Sequence, residues 1–94
     1  MATIVYGDFE WDDAKAAANV KKHGVSFEEA STVFDDPEAL DAPDMEEPTR
    51  FVILGRSHEA RILFVVQMER GDRIRLISAR KASPAQRKKY EEGI

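Results

Sequence analysis

The sequence predicts a single α+β domain over residues 1–94, in the order β-α-α-β-β-β-α, with an antiparallel meander packed against helices. Three observations predict it. Two Ser-x-x-Glu/Gln capping boxes open helices, an alanine-rich run ends at a glycine, and three strand-length runs are joined by turns of hairpin length.

A short apolar strand, Ile4 to Tyr6 with an extension toward Phe9, leads to Trp11 and to Asp12, a good N-cap. Asp13 to His23 contains neither Pro nor Gly, and Gly24 stands where a left-handed C-cap belongs, so helix 1 spans these residues. Ser26-Phe27-Glu28-Glu29 is a capping box, with Val25 and Ala30 placed as a hydrophobic staple, and it opens helix 2 from about Phe27 to Phe34. From Asp35 to Thr49 the chain is acidic and carries Pro37, Pro43 and Pro48, a loop longer than most connections and therefore a lid or a mobile tether. Three strands follow at Arg50 to Ser57, Arg61 to Glu69 and Arg73 to Arg80. Alternation in the middle strand puts Ile62, Phe64, Val66 and Met68 on one face, and Arg61, Leu63, Val65 and Gln67 on the other, which is only partly apolar. Ser83-Pro84-Ala85-Gln86 is a second capping box with Pro at the first helical position, opening helix 3 through about Tyr90.

Composition narrows the function. There is no cysteine, which excludes disulfides and thiolate metal sites and suits a reducing cytoplasm. The amino terminus lacks the pattern of a signal peptide, and no apolar run reaches about 18 residues, so a soluble cytoplasmic protein without membrane contact is expected. The net charge of −4 conceals a division. Residues 1–48 hold three Lys and thirteen Asp+Glu, a net −10, whereas residues 49–94 hold eleven Lys+Arg and five Asp+Glu, a net +6. A half this basic suits a polyanion, since each neutralised phosphate releases counterions; solvated strand and helix edges are the alternative. No glycine-rich phosphate loop, nucleophile elbow or His-x-x-x-His pair is present, the acidic loop lacks calcium-loop spacing, and neither metal nor cofactor is expected.

The run Phe9-Glu10-Trp11-Asp12, then Lys15, Asn19, KHGVSFEEA at 22–30 and Val33-Phe34-Asp35-Asp36-Pro37, resembles the opening of the BrnT toxins. Arg50-Phe51, GRS at 55–57, Arg61-Ile62-Leu63, ERGDRIRLISAR at 69–80 and Tyr90-Glu91 extend the resemblance to about residue 92. It implies a ribonuclease of RelE-like fold. It also implies a small ribbon-helix-helix antitoxin encoded beside it, a heterotetramer of the two, and operator DNA bound only through the antitoxin. The sequence departs from the pattern at Gln67, where many relatives carry His.

A metal-free ribonuclease needs a base for the 2′-hydroxyl, an acid for the leaving oxygen and fixed cations for the phosphate. The catalytic candidates are His23, Arg61 and Arg80. Lys15, Asn19 and His23 recur every four residues and share a helix face, with Lys22 beside His23. The helix C-terminus favours a charged His23 while Lys21 and Lys22 oppose it; a helix-ending cap is its other reading. His58 in its turn reads as solvated. Arg61, Arg73, Arg75 and Arg80 are expected to converge on one basic strip of the meander. By parity Arg73 and Arg75 share a face with Ile77, and Arg80 shares the other with Ile74, Leu76 and Ser78 unless a bulge intervenes. Arg80 is read as a phosphate ligand, or else as the ion-pair partner of Glu28 or Glu29 on helix 2. Arg87 and Lys88 with Lys89, and Tyr90, complete the expected RNA contacts, and Arg56 near its hairpin end is left outside the site. The competing function is a non-enzymatic module that binds nucleic acid or protein with the same basic sheet.

Overall fold

The structure, a computed structural model, describes residues 2–93. Ten elements follow the chain: β1 (Thr3–Tyr6), β2 (Phe9–Asp12), α1 (Asp13–His23), α2 (Phe27–Ser31), a 3-10 turn (Thr32–Asp35), β3 (Leu40–Pro43), β4 (Phe51–Arg56), β5 (Ile62–Arg70), β6 (Arg73–Lys81) and α3 (Pro84–Glu92). The six strands form one mixed sheet in the order β1-β2-β6-β5-β4-β3. The expected meander is β4-β5-β6, all antiparallel, and β2 joins β6 in parallel through Phe9 and Glu10.

The α+β class holds, and the predicted element order gains two strands. The first strand is a hairpin, because Gly7 turns the chain at φ 61° and Thr3 to Tyr6 pairs back on Phe9 to Asp12. The acidic loop contributes β3, an edge strand on β4 whose outward side tolerates Pro43 at its end. Helix 2 is shorter than predicted, one α-turn followed by the 3-10 turn. Gly55 allows that turn to lie on β4, since a Cβ there would stand 3.3 Å from the Val33 Cβ and 3.1 Å from the Ala39 Cβ.

The caps explain the helices. Asp12 accepts from the Lys15 amide and Gly24 closes α1 at φ 69°. Ser26 accepts from the Glu29 amide. Ser83 and Gln86 form a reciprocal capping box on α3.

α1, α2 and the 3-10 turn cover one sheet face, the inner face. The core there is Trp11, Val25, Phe27, Ala30, Val33, Ile53, Leu63, Val65, Leu76 and Ala79, with Trp11 edge-on to Phe27 at 5.8 Å between centroids. In β5 it is Leu63, Val65 and Gln67 that turn inward, so the wholly apolar side of that strand, Ile62, Phe64, Val66 and Met68, is on the outer face. α3 lies across part of that outer face, over β4, and buries Tyr90.

Two polar contacts tie the inner layer to the sheet. Asn19, buried on α1, donates to the carbonyls of Val25 and Ala79, each at 2.8 Å, and accepts from the Ala79 amide at 3.2 Å. Glu29, buried on α2, accepts Arg61 Nε at 2.9 Å and the Arg61 Nη2 group, together with the Ser57 hydroxyl at 2.7 Å. Arg61 also donates to the Gly24 carbonyl at 3.1 Å. The hydrogen bonds from Arg61 hold the Glu29 carboxyl below the usual carboxylate range, against a burial that alone would raise it, and Ser57 adds to the lowering. The same pairing raises Arg61.

Asn19→Ala leaves three buried backbone groups without partners, and should cost about 3 kcal/mol, read as a fall of roughly 10 °C or more in the melting temperature. Because the folded-state pKa of Glu29 is depressed, its contribution is fully present above the ordinary value near 4.5 and is lost as pH falls through the lower folded value. Glu29→Gln should therefore cost about 1–2 kcal/mol at neutral pH and flatten the acid limb of stability against pH below that value; an unchanged acid limb would remove the pair from the account.

Candidate functional site

The site is built around a bulge in β6. Val66 opposes Ser78 while Gln67 opposes Leu76, so Ile77 is the extra residue. Before it, strict alternation turns Ile74 and Leu76 inward and Arg73 and Arg75 outward; after it, Ala79 turns inward, and Ser78 and Arg80 outward. Arg80 thus emerges on the outer face, opposite Phe64, with its guanidinium carbon 4.5 Å from the centre of the Phe64 ring.

Arg80 makes no ion pair with helix 2. That partner is Arg61, which lies on the inner side and whose Nε–Nη2 edge is filled by Glu29. Arg80 donates only from Nη1, to the Lys81 carbonyl at 3.1 Å and to Gln86 Oε1 at 3.0 Å. Its Nε–Nη2 edge, the two-pronged side that fits carboxylate or phosphate, has no protein partner among the described residues, and no carboxylate lies within 4.0 Å of it.

Cationic groups flank Arg80 along the last turns of β6. Toward Ile77, a depression of about 240 Å³ is lined by Lys15, Asn19, Lys22, His23, Ile77 and Ser78. Toward Ala82, a cavity of about 330 Å³ is lined by Arg56, Arg61, Ile62, Lys81, Arg87 and Glu91. Ser78 to Lys81 spans only about 10 Å of strand, so along β6 Arg80 lies between the two, with its side chain on the outer face and lining neither.

The expected strip of four arginines does not converge. Arg75 is ion-paired to Glu10 at 2.7 Å, with Arg70 3.9 Å from the same oxygen. Arg73 is exposed at the far end of β6, about 23 Å of strand from Arg80. Asn19 lines the α1 depression, yet all three of its side-chain contacts go to backbone, which makes it a clamp and takes it out of the expected RNA contacts. Tyr90 is buried as well: its hydroxyl donates to Asp36 at 2.6 Å, and the Arg56 guanidinium lies 5.8 Å over its ring. Burial raises the Tyr90 hydroxyl pKa, and the bond to Asp36 raises it further. Burial would also raise Asp36, but bonds from Tyr90 and from the Arg56 and Glu38 amides outweigh it and hold the carboxyl low. His58 faces Asp35 at 3.1 Å, both exposed. Lys88 is exposed on α3.

Arg56 and Lys81 also line the cavity toward Ala82, a placement that charge and spacing in the sequence do not predict. Lys81 follows Arg80 on β6 and falls on the opposite face, and Arg56 reaches the cavity because β4 and α3 end together. Among the described residues no group of three or more His, Asp or Glu is placed to hold a metal ion, and no helix is long and apolar enough to cross a membrane.

A family model described as the ribonuclease toxin BrnT of type II toxin-antitoxin systems matches residues 11–86, which takes in Arg61, the bulge, Arg80 and Gln86. Among solved structures, the chain is similar to the Brucella abortus ribonuclease toxin BrnT, whose crystal structure reached 1.1 Å resolution. The two share 26% identity over 78% of this chain and 92% of that one, with a TM-score of 0.65. No curated protein matches the chain. With most of its length, including both flanks of the bulge, inside the family match, the chain belongs to the BrnT family of type II ribonuclease toxins.

Proposed function

We propose that this chain cleaves RNA in a RelE-like manner without a metal ion, with the scissile phosphate seated at Arg80. One observation carries the reading: Arg80 presents an open Nε–Nη2 edge on the outer face, beside the amino terminus of α3, and along β6 its position falls between two groups of cations. A guanidinium edge matches two phosphate oxygens, and a neighbouring helix amino terminus adds a partial positive charge.

In this reading Arg80 binds the phosphate and stabilises the charge that grows on it during in-line attack by the 2′-hydroxyl. His23, with Lys15 and Lys22 around it, is the residue assigned to proton transfer at the α1 side. Arg87, Lys88, Arg56 and Lys81 hold the strand of RNA on the α3 side, and Arg73 steers from the far end of β6. Arg61 acts indirectly, by fixing the start of β5 to α2 through Glu29.

An uncontrolled ribonuclease would harm its host, so the family's antitoxin is expected to cover this cationic track. The partner is proposed to be a ribbon-helix-helix protein in a heterotetramer, with operator DNA bound through it, and the setting is the cytoplasm, where the RNA is. A non-enzymatic binding module would show the same affinity for RNA without cleavage.

Arg80→Ala should keep its melting temperature within a few degrees, since no ion pair is lost, and slow RNA cleavage by about a hundredfold or more, measured with chelator present. The logarithm of RNA affinity should fall linearly with the logarithm of salt, and the slope should shrink by about 0.7 in the variant. A folded Arg80→Ala protein that cuts at the parental rate would take the phosphate away from Arg80.

A further inference from the structure

The chain carries the Ser-x-x-Glu/Gln sequence at two helix starts, the reciprocal box closing only on α3, and in both copies the side chain at the third helical position meets an arginine. In Ser26-Phe27-Glu28-Glu29 that side chain is a carboxylate, and it closes on the Nε–Nη2 edge of Arg61. In Ser83-Pro84-Ala85-Gln86 it is a neutral amide, and it receives Arg80 from Nη1 at 3.0 Å. The same atom, Gln86 Oε1, also accepts from the Ser83 amide at 2.9 Å. Two donors converge on it, so it is the oxygen of the amide.

Helix stability alone would favour Glu at this position, because a carboxylate beside a helix amino terminus gains from the partial positive charge there and completes the same reciprocal cap. Yet a carboxylate 3 Å from Arg80 would neutralise a guanidinium that has no carboxylate partner among the described residues. The Glu29–Arg61 pair shows what that outcome looks like within this molecule: the arginine becomes a structural tie and its two-pronged edge is filled.

We infer that Gln86 is a positioning residue for the phosphate site: its amide oxygen fixes Arg80 against Phe64 and leaves the positive charge, and the open edge, for the anion. This rests on Arg80 being the phosphate ligand. Phe64 stacks on one face of the guanidinium, and Gln86 with the Lys81 carbonyl takes the hydrogens of Nη1, so the plane is fixed and Nε–H with its parallel Nη2–H are left to face the anion together.

Two substitutions separate charge from geometry. Gln86→Glu keeps the cap and the grip on Arg80 but adds the counter-charge. It should melt at or above the parental temperature, lower the salt slope of RNA affinity by about 0.7, and slow cleavage about tenfold or more. Gln86→Met keeps the length but removes the acceptor. It should melt lower, retain the salt slope, and lose kcat more than KM, because Arg80 keeps its charge and loses its orientation. In an Arg80→Ala background, Gln86→Glu should add no further loss, as expected of a residue acting through Arg80. Parental slope and rate in Gln86→Glu, alongside an inactive Arg80→Ala protein, would overturn the role of Gln86 alone, as would a further loss in the double variant. Parental cleavage by Arg80→Ala would overturn the phosphate reading and the role of Gln86 with it.

Discussion

The arrangement of this molecule turns on one extra residue in β6. Ile77 breaks the two-residue alternation between Leu76 and Ala79, and the strand on either side of it presents opposite parities. Without the bulge, Arg80 would keep the parity of Ile74 and Leu76 and point at the α1 and α2 layer. With it, Arg80 faces outward onto Phe64 and meets the start of α3. The bulge is held in place by Asn19, whose amide pairs with both backbone groups of Ala79, two residues beyond Ile77, so a buried polar side chain on α1 fixes which way a surface arginine points.

The helices were legible because their signals are local. Asp12 with Gly24, and the two Ser-x-x-Glu/Gln boxes, mark ends by hydrogen bonds that span three or four residues. The three strands of the meander were legible from alternation and turn length, and the bulge was admitted as a possibility without its position. The hairpin at Gly7 was not read, because Tyr6-Gly7-Asp8 looks like a lead into Trp11 when the pairing partner is not known. β3 was hidden by its composition: an acidic, proline-bearing segment forms an edge strand only because β4 offers it a ladder.

The site was legible in residue types and less so in partners. By strict alternation Arg80 stands on a face with Ile74 and Leu76, an oddity that the bulge resolves by moving it off that face. Of the two partners predicted for Arg80, the ion pair with helix 2 belongs to Arg61 instead. Asn19 and Arg75 were read as RNA contacts from spacing and charge, yet contacts distant in sequence claim both, Ala79 for one and Glu10 for the other. Spacing along a helix or strand shows which side chains share a face, and it cannot show which of them the opposite layer will bind.

What distinguishes the two arginines is therefore the occupancy of the same edge: filled by Glu29 in Arg61, open in Arg80. The most direct test is to follow the side-chain Nε–H resonances of both by NMR while a non-cleavable 2′-deoxy oligonucleotide is added. The account predicts that Arg80 shifts saturably with the ligand while Arg61 stays in place. An Arg80 signal that does not move at saturation, or an Arg61 signal that moves in its stead, would contradict it.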